Sequence, residues 1–62
     1  MQKETLKERV YRGIYEAVTN GEYRPNDILT ENQMIEKFGV RKSPVREALV
    51  ELCKDGVLIN IP

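Results

Sequence analysis

The sequence contains no histidine and a single cysteine, Cys53. Without imidazole, no side chain is poised to exchange protons near neutrality, and zinc sites of the His or Cys/His type are excluded. One thiol cannot build an internal disulfide framework and suits a reducing compartment, so a cytoplasmic location is expected. Net charge is missing too, because ten Lys and Arg residues balance ten Asp and Glu. The simplest electrostatic sign of a nucleic-acid partner is therefore absent, although a cancelled total can conceal a basic face. No apolar run exceeds three residues, as in Val57-Leu58-Ile59, so neither a transmembrane helix nor a signal-peptide core is expected. The 62 residues leave room for one domain, which at this size buries about 60% of its unfolded surface and is marginally stable. A content of 40% hydrophobic and 32% charged residues fits a globular fold rather than disorder.

What is present is helical periodicity. Leu6, Val10, Ile14 and Val18 recur every four residues, widened by Tyr11, Tyr15 and Ala17, and predict a first helix over Lys3 to Thr19. Asn20-Gly21 ends it. Pro25-Asn26 reads as a turn, and Ile28-Leu29 as a very short strand. Thr30-Glu31-Asn32-Gln33 has the form of a capping box and opens a second helix, with Met34, Ile35 and Phe38 as its apolar face and Gly39 as its stop. A third helix follows almost at once. Ser43 reads as its N-cap and Pro44 as its first helical residue, which needs no N–H. Val45, Ala48, Leu49, Leu52 and Cys53 form its buried stripe, and Asp55-Gly56 closes it. Val57, Ile59 and Ile61 alternate as a strand over 57–61.

Two helices joined by a short glycine-containing turn are the helix-turn-helix signature, and a strand directly after them suggests a wing. The fold class expected is mainly α with a small β component, a three-helix winged helix-turn-helix. The zero total charge hides segregation. Lys37, Arg41, Lys42 and Arg46 form a block without an intervening acid, residues 1–12 are also net positive, and the remainder is net negative. The positive block falls on the turn and the start of the third helix. There a helix entering the major groove meets base edges and phosphates, aided by its N-terminal dipole.

Gly39-Val40-Arg41-Lys42-Ser43-Pro44-Val45-Arg46-Glu47-Ala48-Leu49 resembles the recognition segment of GntR-type winged helix-turn-helix regulators, usually G-V-S-R-[ST]-P-V-R-E-A-L. The stretch Pro44 to Leu49 looks most like the FadR-like branch. Leu29-Thr30-Glu31 resembles the family's L-S-E at the start of the second helix, and Val10 to Leu29 its first helix and turn. The resemblance covers nearly all of the chain in order. It implies a bacterial transcription factor that binds double-stranded operator DNA as a homodimer, with a small-molecule effector on a following C-terminal domain that this chain lacks.

Carried across position by position, the resemblance assigns DNA contacts to Arg41, Lys42, Ser43 and Arg46, with Asn32 at the place of a common arginine. Three departures bear on recognition. Arg41 replaces the usual serine and adds charge. Lys42 replaces an arginine and loses the planar fork that suits guanine O6/N7. Asn32 supplies a neutral hydrogen bond where a cation is usual. The chain stops at Pro62, before the return strand and tip of a wing. The expectation is a single domain over 1–62, with the helix-turn-helix at 30–55, a recognition helix at 44–55 and an incomplete wing.

Other readings compete with this one. Arg46 can pair with a nearby glutamate instead of DNA, and Glu47 suits the helix dipole or the orientation of Arg46. Cys53 reads as core rather than a reactive thiol, and Tyr11 and Tyr15 as packing rather than base stacking. The alternative function is a winged helix used as a protein-interaction module without DNA binding, which would not need the cationic block. An enzyme is not expected, since no nucleophile–base pair or phosphate-cradling glycine loop is present, and no cofactor or metal is implied.

Overall fold

The computed structural model describes residues 3–24 and 27–58. They form three helices: α1 (Leu6–Thr19), α2 (Glu31–Phe38) and α3 (Lys42–Lys54). No strand occurs among the described residues. The Pro25-Asn26 turn and residues 59–61 of the expected strand lie outside them.

The first helix starts later than its periodicity suggests. Thr5 is its N-cap: its hydroxyl accepts from the Glu8 N–H at 3.1 Å, and Glu8 Oε1 accepts from the Thr5 N–H at 2.9 Å. Thr-x-x-Glu is itself a capping-box pattern, and it excludes Lys3 and Glu4 from the helix. The α2 box forms as expected, with Thr30 Oγ1 accepting from the Gln33 N–H at 3.1 Å and Gln33 Oε1 from the Thr30 N–H at 3.2 Å. Gly39 ends α2 at φ 65°, ψ 38°, a left-handed conformation that costs a side-chain-bearing residue energy. At the end of α3 the N–H of Gly56 reaches Cys53 O at 3.1 Å and that of Val57 reaches Leu52 O at 2.9 Å. This pair of bonds is the Schellman arrangement.

Helix α3 packs against both α1 and α2. Its Val45, Ala48, Leu49 and Leu52 meet Val10 and Ile14 of α1 and Met34 of α2 in one buried cluster, closed by Leu29 and Leu58. Ile28-Leu29 forms no strand. Leu29 is buried and Ile28 exposed, but a strand needs a partner ladder and none lies among the described residues. Val57-Leu58 likewise forms no strand. Leu58 folds back onto the core, and its N–H bonds Leu52 O at 3.3 Å. No helix is long and apolar enough to cross a membrane among the described residues.

Polar ties reinforce the α1–α3 contact. The Tyr11 hydroxyl donates to Asp55 Oδ2 at 2.5 Å, and Lys7 Nζ meets Glu51 Oε2 at 2.5 Å. The Asp55 hydrogen bond, with burial and the Asp55 charge, pushes the Tyr11 phenol up to about 12. Tyr11 packs against the core cluster, as expected, whereas Tyr15, expected to pack with it, is exposed and only stacks on the Tyr11 ring, with centroids 6.4 Å apart. Cys53 is half-buried, and burial pushes its thiol up, as suits a core residue.

Gly13 decides how closely α1 approaches α2. A Cβ there would lie 2.4 Å from Phe38 Cε1 and 2.7 Å from Cζ. Alanine is the better helix former by about 1 kcal/mol, yet the ring must leave its seat to admit the methyl group. Gly13→Ala is expected to destabilise the chain by about 1–2 kcal/mol in urea unfolding. In a Phe38→Ala background the same change should instead stabilise by about 1 kcal/mol, because only the propensity gain remains.

Candidate nucleic-acid interface

Helix α3 begins at Lys42, with Arg41 in the N-cap position at φ −75°, ψ 168° and no side-chain cap bond. The expectation of Ser43 as N-cap and Pro44 as first helical residue is thereby corrected. Ser43 and Pro44 are the second and third residues of the helix, and α3 runs over Lys42–Lys54 rather than the expected 44–55. The helical dihedrals begin at Lys42, one residue before Ser43, and the residue left at the N-cap, Arg41, has a guanidinium that only donates and so cannot accept from a first-turn N–H. Pro44 still causes no loss, because the first turn has no intrahelical acceptor for its N–H groups.

The first turn of α3 carries no acidic residue. Arg41, Lys42 and Ser43 are exposed around it, so its N–H groups and positive dipole end face solvent beside two cations. Lys42 and Arg46 are four residues apart and share a helical face. Asn32 is exposed in the first turn of α2.

Glu31 of α2 lies against that face. Arg46 Nε donates to Glu31 Oε2 at 2.8 Å, and Lys42 Nζ stands 4.0 Å from Glu31 Oε1. The side chains of Lys42 and Arg46 are 62% and 61% exposed, whereas that of Glu31 is 24% exposed. The hydrogen bond from Arg46 holds the Glu31 carboxyl below the usual carboxylate range. The partner of Arg46 is thus Glu31, not the neighbouring Glu47.

The fourth member of the cationic block behaves differently. Lys37 Nζ donates to the Tyr23 hydroxyl at 3.0 Å and sits 4.9 Å from the centre of that ring. It also lies 4.0 Å from Glu22 Oε1. Lys37 is drawn toward the segment after α1, which leaves Arg41, Lys42 and Arg46 as the cations at the start of α3. Among the described residues no group of three Cys, Asp or Glu side chains could hold a metal ion.

Residues 6–62 match the profile of the bacterial regulatory proteins of the gntR family. The chain belongs to that family. Over 48 residues, 77% of its length, this gntR-family chain is 40% identical to an uncharacterized HTH-type transcriptional regulator, YdhC, of Bacillus subtilis (strain 168), of which it covers 21%. Over 58 residues, 94% of its length, it is 31% identical to an uncharacterized HTH-type transcriptional regulator in an unstable DNA locus of Streptomyces ambofaciens, of which it covers 25%. The gntR-family chain therefore spans a quarter or less of the length of these curated relatives. No solved structure matches it.

Of the features around this turn, Glu31 is the one that sequence reasoning did not place in the site. It follows a cap residue, where acids are common for the sake of the helix dipole. The signal that it holds Arg46 is tertiary.

Proposed function

We propose that this chain is the DNA-binding domain of a bacterial transcriptional regulator, which binds an operator half-site with α3 in the major groove. Membership of the gntR family, together with two relatives described as HTH-type transcriptional regulators, supports this non-enzymatic reading. The observation that carries it is the solvent-open first turn of α3, uncapped, free of acids and flanked by Arg41, Lys42 and Arg46. Lys42 reads a base edge or phosphate from the first turn of α3. Ser43 bonds phosphate with a hydroxyl that capping does not use. Arg41 adds backbone affinity, and Asn32 makes a neutral contact from α2. The wording Pro44-Val45-Arg46-Glu47-Ala48-Leu49 favours the FadR-like branch. The domain spans 1–62, a wing follows α3 in the full regulator, and that regulator acts in the cytoplasm. It is a homodimer whose further domain takes a small-molecule effector, in keeping with the greater length of the relatives.

Selection from random duplexes, followed by binding to the enriched sequence and to a scrambled one, tests this reading. Loss of a base contact costs about 1–3 kcal/mol and relaxes preference at one position, whereas loss of a phosphate contact weakens binding to every sequence. Lys42→Ala and Arg46→Ala should both weaken binding. Lys42→Arg should sharpen discrimination at a guanine, and Asn32→Arg should raise affinity for all duplexes. If Lys42→Ala and Arg46→Ala leave affinity unchanged on every duplex, the docking fails and a protein-interaction role takes its place.

A further inference from the structure

Arg46 does not stand free on the exposed face of α3. Its Nε is taken by Glu31 Oε2 at 2.8 Å, while the other oxygen of the same carboxylate lies 4.0 Å from Lys42 Nζ. Glu31 is itself well fixed, because Thr30 and Gln33 lock the start of α2 and Met34, one turn further on, is buried in the core. From these contacts we infer that Glu31 is a positioning residue for specificity: it directs Arg46 to read a base and restrains the cationic face from binding DNA indiscriminately. The inference rests on the proposed DNA-binding role.

The chemistry lies in the guanidinium fork. Arginine offers two bidentate edges, one formed by Nε with an Nη and the other by the two terminal Nη groups. Occupation of Nε by Glu31 removes the first. The terminal pair stays open, and it matches the O6/N7 acceptors of guanine in the major groove. An exposed ion pair of this kind contributes little to stability. Its effect is on geometry, because a long flexible side chain arrives with part of its rotamer freedom already lost.

The second effect is electrostatic. Arg41, Lys42 and Arg46 attract any phosphate, whatever the sequence. Glu31 sits between two of them and repels the phosphate backbone, while a base edge carries no formal charge. Affinity for arbitrary duplexes falls, and the guanine contact is left as the term that distinguishes one sequence from another.

The test uses the 62-residue chain, the duplex enriched by selection and its scrambled counterpart, at two salt concentrations. Glu31→Ala should raise affinity for the scrambled duplex several-fold. It should also steepen the salt dependence by about one further phosphate neutralised. The ratio of enriched to scrambled affinity should fall about tenfold, the scale of one bidentate base contact. Glu31→Gln keeps an acceptor for Nε but not the charge. It should raise scrambled-duplex affinity in the same way and retain part of the ratio, and it carries the test if the alanine variant proves poorly folded. In an Arg46→Ala background, Glu31→Ala should not lower the ratio further. A ratio unchanged in both Glu31 variants, or lowered equally with and without Arg46, overturns the inference while leaving DNA binding intact. Wild-type chain that prefers no duplex over any other overturns the DNA-binding reading itself.

Discussion

Leu52→Ala is expected to leave much of the chain unfolded at physiological temperature. Leu52 is completely buried on α3, in the cluster it shares with Val10, Ile14, Met34 and Leu49. Its carbonyl also receives the N–H groups of Val57 and Leu58, so the segment after α3 is anchored at the same residue. Truncation of a buried leucine costs about 2.7–5.0 kcal/mol, because the lost transfer energy is joined by the cavity left behind. The entire stability of a domain of this length is about 3–9 kcal/mol. Among the described residues no second core shares the loss. Thermal unfolding followed by far-ultraviolet circular dichroism checks this. Val50→Ala on the same helix serves as the comparison: Val50 is 41% exposed, and alanine favours the helix, so its melting temperature should barely move. A Leu52→Ala variant that melts near wild type would mean that the cluster around α3 is not what holds the domain together.

DNA affinity should fall about 12-fold for a roughly fourfold rise in salt, as follows when about two phosphates, those met by Arg41 and Lys42, are neutralised at a slope near −0.9 each. The cationic block read from the sequence has four members, Lys37, Arg41, Lys42 and Arg46, and would give a steeper loss. The structure lowers the number, because Lys37 is bonded to Tyr23 and lies beside Glu22, and Arg46 is held by Glu31. Binding isotherms on the enriched duplex across a salt series give the slope directly. Arg41→Ala should flatten it by about one, on enriched and scrambled duplexes alike, whereas Lys37→Ala should leave it nearly unchanged. A slope near zero would remove the phosphate backbone from the interaction, and one steepened by all four cations would show that Lys37 leaves Tyr23 on binding.

The parts of the fold legible in the sequence are those written within three or four residues. The Thr30–Gln33 box, the stop at Gly39 and the buried stripe of α3 each appear where the sequence places them. The errors sit at element ends and at isolated apolar pairs. Apolar periodicity alone sets no N-terminal limit before Leu6 and admits Lys3 and Glu4 to the first helix, although Thr5 and Glu8 already spell a box. Ser43 has the right chemistry for an N-cap, but helical geometry begins one residue before it. Ile28-Leu29 has strand composition without a partner.

Three amphipathic helices in order, the tight turn between the last two, and a block of cations at the start of α3 are legible in the residues alone. These follow from periodicity, capping and charge, which act between near neighbours along the chain. How those cations are paired depends on the packing of the helices. Arg46 and Glu31 are separated by fifteen positions in the chain, and Lys37 and Tyr23 by fourteen. Whether such groups meet depends on the angle and depth at which the helices pack, which Gly13, Phe38 and the buried cluster set together. One carboxylate thereby comes to lie between Lys42 and Arg46, one lysine is withdrawn toward Tyr23, and the exposed first turn of α3 is left with the three cations nearest to it.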